Sequence, residues 1–148
     1  MAFHFGPVLR FLHCCMNQKI TAVLAELDLT SSQSHIMGYL ARSEQAPCVK
    51  DLEDYFHLSH PSICGTLHRL EKKEFIAFRS DPQDRRCKRI YTLPKGIACH
   101  ERMMQFIGEA EDQLVAGFTP EEKQQLVTLL TRVMENMGGE PHRLTEED

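Results

Sequence analysis

The sequence predicts a mainly α-helical fold with a small β-hairpin, in the order of a winged helix-turn-helix with long terminal helices. Three observations support this. Apolar residues recur at steps of three or four over most of the chain. Two short helical segments are separated by a tight turn. Only two short runs, which are rich in aromatic and β-branched residues, depart from this helical spacing. They flank a polar loop. A chain of 148 residues suits one domain with its own core.

The first three helices are predicted from apolar spacing and from the breaks between segments. The first covers about residues 7–27, where six positions step by three or four: Leu9, Leu12, Met16, Ile20, Val23 and Leu27. Residues 28–32 interrupt it and supply hydroxyls that can cap a second helix over 33–42. After a turn at 45–47, a short third helix covers 49–56.

The fourth helix is predicted from about residue 60 to 73, with Ser59 as its N-cap and Pro61 in its first turn. Two strands follow at 75–79 and 88–93. The loop between them is polar and rich in arginine, so the pair forms a hairpin with a basic tip.

Two long helices are predicted to complete the chain. The fifth carries its apolar stripe from Ile97 to Phe118, and Thr119 and Pro120 begin the sixth. We therefore expect a single domain over 1–148. Its terminal helices lie at about 5–27 and 94–137, its central lobe at about 30–93, and a disordered acidic tail at 138–148.

Composition excludes several classes of protein. No apolar run approaches the length of a membrane span, and the first residues lack a basic leader, so a cytoplasmic protein is expected. The six cysteines are scattered without a C-x-x-C pair, which favours reduced thiols over a disulfide framework. No nucleophile elbow, phosphate loop or paired metal motif is present. We therefore expect neither enzymatic activity nor a cofactor.

The charge distribution is more informative than the net charge of −4. Between residues 69 and 89 there are eight basic and four acidic side chains, whereas residues 101–148 carry eleven acidic and four basic ones. A basic stripe beside an acidic half indicates one face for a polyanion.

The fourth helix has two distinct faces that fit entry into a DNA major groove. Ile63, Leu67 and Leu70 cluster within about 60° and should face the core. The opposite face carries short polar side chains at the start of the helix, which suit contact with base edges. At the end of the helix it carries cationic side chains, which suit contact with phosphates. The predicted contacts from this helix and its cap are Ser59, His60, Pro61, Ser62, Gly65, His68, Arg69 and Lys72.

The hairpin supplies the second predicted DNA contact. An extended arginine at its tip suits the narrow, negative minor groove, and Asp84 lies two residues before Arg86, where a carboxylate can hold the hairpin in shape. The predicted wing contacts are Arg79, Asp84, Arg85, Arg86 and Lys88.

The segment 81–96, DPQDRRCKRIYTLPKG, resembles the wing and the following helix entry of the multiple-antibiotic-resistance regulator (MarR) family of bacterial transcription factors. Residues 70–76 look like the end of that family's recognition helix, and 29–33 like the entry to its second helix. The resemblance covers residues 5 to 137. Two positions depart from it: Glu74 stands where glycine is commoner, and Pro94 where threonine is commoner.

The resemblance implies a homodimer in which the first, fifth and sixth helices of both subunits interleave. Residues of about 5–27 and 94–137 are then the dimerisation helices, and about 30–93 form the DNA-binding lobe. It also implies a palindromic operator on double-stranded DNA, read by two recognition helices about one turn apart. Since members of this family commonly respond to a ligand or to cysteine oxidation, a repressor released by a small-molecule signal is the favoured function. Activation remains an alternative.

The signal itself stays open among three classes. A small aromatic anion would bind a cleft lined by Arg10, His13, Asn17, Met37 and Tyr39. Thiol redox sensing would use Cys14 and Cys15. Metal sensing is the weakest alternative: His35, Cys99 and His100 occupy suggestive places, but Asn17 and Met104 stand where ligands are wanted, so no metal site is predicted. A dimeric interaction module that does not bind DNA is a further alternative, which salt-dependent binding to random duplex DNA would exclude.

Overall fold

The computed structural model describes residues 4–81, 83–84 and 87–139 and contains six helices and one two-stranded antiparallel sheet in those residues. None of the described helices combines the length and the apolar character that crossing a membrane requires. The helices and strands are α1 (Phe5–Glu26), α2 (Ser31–Arg42), α3 (Val49–Phe56), α4 (His60–Lys72), β1 (Ile76–Ser80), β2 (Lys88–Thr92), α5 (Pro94–Leu114) and α6 (Pro120–Asn136). This confirms the predicted fold class and the order of the elements.

One apolar core holds α2, α3, α4 and the hairpin together. Its centre consists of side chains that are at most 1% exposed, among them Leu52 of α3, Leu67 and Leu70 of α4, and Ile76 of β1. The end of α1 and the start of α5 each add a few buried side chains to this core. The core therefore fixes the helix-turn-helix against the hairpin.

Local capping explains where α2 begins and where α4 ends. Thr30 and Gln33 form a capping box at the start of α2, and the buried Gln33 amide also accepts from Lys73 Nζ at 3.3 Å. At the end of α4, Glu74 adopts a positive φ of 62°. The amides of Phe75 and Glu74 donate to the carbonyls of Leu70 and Glu71, which is the Schellman pattern. A left-handed residue there is the physical reason why glycine suits position 74.

The hairpin is joined closely to the start of α5. Its register pairs Phe78 with Ile90, and Leu93 N donates to Phe75 O at 2.9 Å. A Cβ on Gly96 would lie 2.3 Å from that same Phe75 carbonyl oxygen. Only glycine therefore allows the first turn of α5 to pack against the strand.

The chain divides into two compact units, Met1–Phe106 and Ile107–Asp148. The core belongs to the first unit. In the second, none of the residues of α6, all of which are described, is buried, and Leu130 and Val133 are among its exposed apolar side chains. Several large apolar side chains of α1 are also exposed, including Leu9, Leu12 and Met16.

Three sequence predictions need correction or lie outside the described residues. The fifth helix does not extend to Phe118, since α5 ends at Leu114 and Gly117 adopts a φ of +82°. Ser59 stands at the N-cap of α4 but makes no side-chain cap hydrogen bond to the helix backbone. The tail predicted at 138–148 falls almost entirely on residues 140–148, which the structure does not describe.

Candidate nucleic-acid interface

Helix α4 presents the two faces that its sequence predicts. Ile63, Leu67 and Leu70 are buried, with exposed fractions of 1% or less. The outward side chains that the sequence analysis assigned to DNA are exposed, apart from the half-buried Gly65: Ser59, His60, Pro61, Ser62, His68, Arg69 and Lys72. The whole predicted face is therefore open to a partner.

Gly65 lies at the middle of this face. A Cβ built there meets no atom within 4 Å, and its φ is not positive. Neither packing within the chain nor backbone conformation requires glycine at this position. Close approach of another molecule would require it, because a missing side chain lets a partner reach the helix backbone.

The start of α4 is anchored to α3 through His60. His60 Nδ1 is hydrogen-bonded to the Glu53 carboxylate, and its Nε2 lies 3.3 Å from Cys64 Sγ. Ser59 Oγ and Ser62 Oγ are 2.9 Å apart. Thus His60 links the two helices, whereas Ser62 keeps an exposed hydroxyl at the entry of α4.

The basic residues of the stripe fall into two groups. Lys73 and Arg89 are bound to Asp28 and Asp81 at 3.2 Å and 2.8 Å. Within the described part of the chain, no carboxylate lies within 4 Å of the cationic groups of Arg69, Lys72 or Lys88. The structure therefore separates cations that stabilise the fold from three that remain available for phosphates. Arg79 also lacks a carboxylate partner among the described residues, but its guanidinium lies over the Tyr91 ring.

An ion pair and a cation–π contact organise the base of the wing. Arg79 and Arg89 lie directly opposite each other in the sheet, where like charges repel. Arg89 Nε donates to Asp81 Oδ2, and the Arg79 guanidinium lies 4.8 Å from the centre of the Tyr91 ring. The amide of Gln83 and the Arg89 side chain hold the pKa of the Asp81 carboxyl below its usual value.

The predicted tip contacts are only partly described. Asp84 is exposed and its carbonyl accepts from Cys87 N at 2.9 Å. Arg85 and Arg86, which the sequence predicted at the tip, lie outside the described residues, so the proposed pairing of Arg86 with Asp84 stays a prediction.

The five effector candidates differ in their exposure. Arg10, His13 and Asn17 share the exposed surface of α1, where Asn17 Nδ2 lies 2.9 Å from His13 Nε2. Met37 is 2% exposed and belongs to the core. Tyr39 packs on Tyr55, with ring centres 4.5 Å apart, and burial raises the pKa of its hydroxyl. Met37 therefore does not line an accessible surface.

The redox and metal candidates also differ in exposure. Cys14 is exposed and Cys15 half-buried on α1. Burial raises the pKa of the Cys99 thiol, while burial and the nearby Arg42 lower the pKa of His100. Among the residues that the structure describes, no three His, Cys, Asp or Glu side chains come together as metal ligands.

Sequence reasoning missed the pair Asp81 and Arg89, because it chose Asp84 as the carboxylate that shapes the hairpin. The strand register carries the signal that was needed. Once Arg79 is placed opposite Arg89, one of these cations requires a counter-ion, and Asp81 is the acid at the end of β1.

The described residues form six helices, and an antiparallel hairpin follows α4, which carries an exposed cationic face. This arrangement defines a winged helix protein. The model of the MarR family matches residues 27–86. This segment holds α2, α3, α4 and β1, the elements that build the candidate interface.

Solved structures extend the similarity to nearly the whole chain. A Clostridium acetobutylicum chain described as a MarR family transcriptional regulator is 34% identical, with a TM-score of 0.77, over 89% of this chain and 97% of that one. S. aureus MepR in complex with DNA is 28% identical, with a TM-score of 0.82, over 89% and 98%. The MepR F27L mutant bound to an oligodeoxyribonucleotide is 29% identical, with a TM-score of 0.75, over 92% and 99%. The chain belongs to the MarR family of transcriptional regulators.

Proposed function

We propose that this protein binds double-stranded DNA sequence-specifically as a homodimer and represses transcription until a small-molecule signal releases it. The observation that carries the proposal is the exposed face of α4, on which Arg69 and Lys72 have no carboxylate partner among the described residues. Two of the similar structures, both of MepR, contain DNA.

The two ends of α4 suit different parts of a duplex. Pro61, Ser62 and Gly65 have short side chains, so the helix backbone can approach base edges in a major groove. Arg69 and Lys72 lie near the other end and reach outward, where phosphates would be met. We assign base reading to Ser62 and affinity without sequence preference to the two cations.

The wing provides a second point of attachment. Arg79 and Lys88 are exposed on its strands, and the tip residues Arg85 and Arg86 are assigned to the minor groove because guanidinium groups suit its narrow, negative floor. The ion pair of Asp81 with Arg89 supports this assignment, since it stiffens the base of the hairpin from which the tip projects.

Dimerisation explains the apolar side chains that the chain leaves uncovered. Helix α6 buries none of its described residues, although Leu130 and Val133 lie on it, and α1 exposes Leu9, Leu12 and Met16. Exposed apolar stripes of this length mark a surface that another protein covers. A second copy of the chain is the proposed cover, and it would present two α4 helices to a palindromic operator.

A small aromatic anion is the proposed signal, bound near Arg10, His13 and Asn17 on α1. Their shared exposure supports this proposal, as does the cation that Arg10 supplies for a carboxylate. To release DNA, such a ligand must bind the DNA-incompetent dimer more tightly than the competent one.

Titration of short random-sequence duplex DNA against salt tests the DNA-binding part. Each phosphate contact contributes about 0.9 to the slope of log affinity against log salt. Arg69→Gln and Lys72→Gln should each reduce that slope, whereas Lys123→Gln on α6 removes a cation far along the sequence and should leave it unchanged.

Absence of salt-dependent binding in the parent protein would reject DNA binding and favour the dimeric interaction module. The repressor assignment has its own test: a selected operator placed before a reporter gene should lower expression when the protein is present. Screening aromatic acids by thermal shift and then by operator release tests the signal, because a specific ligand raises the melting temperature with dose.

A further inference from the structure

Two cysteines meet where the wing joins the segment before α3. Cys48 is the N-cap of α3, and its amide donates to Asp51 Oδ2 at 2.7 Å. Cys87 ends the wing loop immediately before β2, and its carbonyl accepts from Asp81 N at 2.9 Å. Far apart in sequence, these two residues belong to different elements of the proposed DNA-binding lobe.

The backbone brings both side chains to the same face. Cys48 forms an antiparallel bridge with Arg89, next to which Ile90 N donates to Pro47 O at 2.8 Å. The hydrogen bond from Asp81 N to Cys87 O continues the ladder one position beyond the pair of Ser80 and Lys88. Cys87 and Arg89, two residues apart, therefore share one face of the hairpin, and the bridge places Cys48 on that face. Cys48 is close enough to contribute to the raised pKa of the Cys87 thiol, and both side chains are half-buried.

We propose that Cys48 and Cys87 form an oxidation-dependent disulfide that ties the wing to α3. With a hydroperoxide as oxidant, one thiolate attacks the peroxide oxygen and yields a sulfenic acid and an alcohol, or water from hydrogen peroxide. The second thiol then displaces the sulfenic oxygen as water and the sulfur–sulfur bond forms. Two thiols lose two electrons and two protons, and the peroxide is reduced.

The surroundings favour the reduced pair as the resting state. Burial, followed by the neighbouring Cys48, raises the pKa of the Cys87 thiol, and Arg89 only partly opposes this effect. Since the thiolate is the nucleophile, Cys87 stays mostly protonated and unreactive at neutral pH. Oxidation should therefore need sustained exposure to peroxide.

The disulfide would change how the wing lies on its base. A sulfur–sulfur bond of about 2.05 Å is much shorter than a non-bonded contact between two thiols. Its formation must draw the end of the wing loop toward α3. The regulatory consequence rests on the proposed function: if α4 and the wing contact one duplex together, a shift of the wing weakens binding.

The test uses the full chain treated with hydrogen peroxide, then blocked, digested and analysed by mass spectrometry without reductant. We expect a linked peptide pair containing Cys48 and Cys87, lighter than the two free peptides by two hydrogen atoms. It should be absent from Cys48→Ser and Cys87→Ser. The matched control Cys14→Ser removes an exposed cysteine on α1 and should retain it.

Binding to random-sequence duplex DNA is measured on the same samples. Oxidation should weaken binding about tenfold, equivalent to about 1.4 kcal/mol, in the parent and in Cys14→Ser, with recovery on adding dithiothreitol. Both single variants at the pair should bind equally well before and after peroxide treatment.

Each negative result has a distinct meaning. Absence of the linked peptide while Cys14 and Cys15 are oxidised overturns the disulfide. A quantitative disulfide with unchanged DNA affinity overturns the switch. Reduced parent protein that fails to bind DNA at low salt rejects the proposed function, while the peptide result still reports on the disulfide.

Discussion

Asp81 binds Arg89 across the base of the wing, with Arg89 Nε donating to Asp81 Oδ2 at 2.8 Å. Arg89 also donates through Nη1 to the Ala46 carbonyl at 3.1 Å. One guanidinium therefore joins the wing loop to the segment that leads into α3. Because this pair crosses between elements, its loss should affect the shape of the wing as well as local stability.

Removing the Asp81 carboxylate is expected to weaken DNA binding without unfolding the protein. Asp81→Asn keeps the size of the side chain but loses the charge that holds Arg89, and leaves Arg89 opposite Arg79 without a counter-ion. Gel-shift titration should show weaker binding, while circular dichroism stays that of the parent. Asp84→Asn serves as the comparison. If Asp84→Asn lost more DNA affinity than Asp81→Asn, Asp84 would be the carboxylate that holds the hairpin in shape.

The same pair predicts an acid dependence of stability. The amide of Gln83, and then Arg89, lower the pKa of Asp81 in the folded chain. Ionised Asp81 therefore contributes its full stabilisation of the folded chain at pH values above its unfolded pKa of about 3.9. This stabilisation is lost as the pH falls through the lower pKa of the folded chain.

Asp81→Asn should accordingly melt below the parent at neutral pH and match it in strong acid. Melting is compared at constant protein concentration, because dimer stability depends on it. A double-mutant cycle with Arg89→Gln isolates the coupling. A difference between parent and variant that persists unchanged into strong acid would contradict this assignment.

Gly65→Ala should stabilise the fold and weaken DNA binding. A Cβ there meets nothing within 4 Å, so alanine gains about 1 kcal/mol of helix propensity without a clash. The added methyl group lies on the face that is proposed to approach base edges. Thermal unfolding and gel shift on the same preparation provide both readouts. Equal or tighter DNA binding would show that no partner approaches the helix backbone closely at this position.

Glu74→Gly should raise stability by about 0.5–1 kcal/mol, because glycine adopts a left-handed conformation without the steric cost that Cβ imposes. Glu74 has a φ of 62° at the end of α4. Glu74→Ala is the matched control, since it removes the charge but retains Cβ, and it should give no such gain. Chemical unfolding measures both variants. An equal gain in the two would assign the effect to charge instead of backbone conformation.

Leu130→Asp should break the proposed dimer. The substitution places a carboxylate on the exposed apolar stripe of α6, at a cost of several kcal/mol if a second subunit buries it unpaired. Light scattering should detect monomer or aggregate. Gln125→Asp, at an exposed polar position of the same helix, should leave the mass unchanged. A folded dimer of Leu130→Asp would move the interface away from this side chain.

Local signals in the sequence predict the helices, the strands and their order. Helix α3 is found at the predicted residues 49–56, and the other helix starts and strand limits lie within a few residues of expectation. These limits can be predicted because apolar spacing, proline and capping hydroxyls act on the backbone within a few residues of their own position. Phe118 shows the limit: it continues the apolar stripe, but the chain turns at Gly117 first.

The pairing of polar groups, by contrast, depends on how distant segments of the chain pack together. The basic stripe reads as one set of cations in sequence, yet Lys73 binds Asp28 and Arg89 binds Asp81. Four described cations of the stripe have no carboxylate partner among the described residues: Arg69, Lys72, Arg79 and Lys88. The bridge between Cys48 and Arg89 brings Cys48 close to Cys87, and the packing of α2 buries Met37 in the core instead of leaving it on a surface. Such contacts depend on the packing of segments distant in sequence, which no local periodicity encodes.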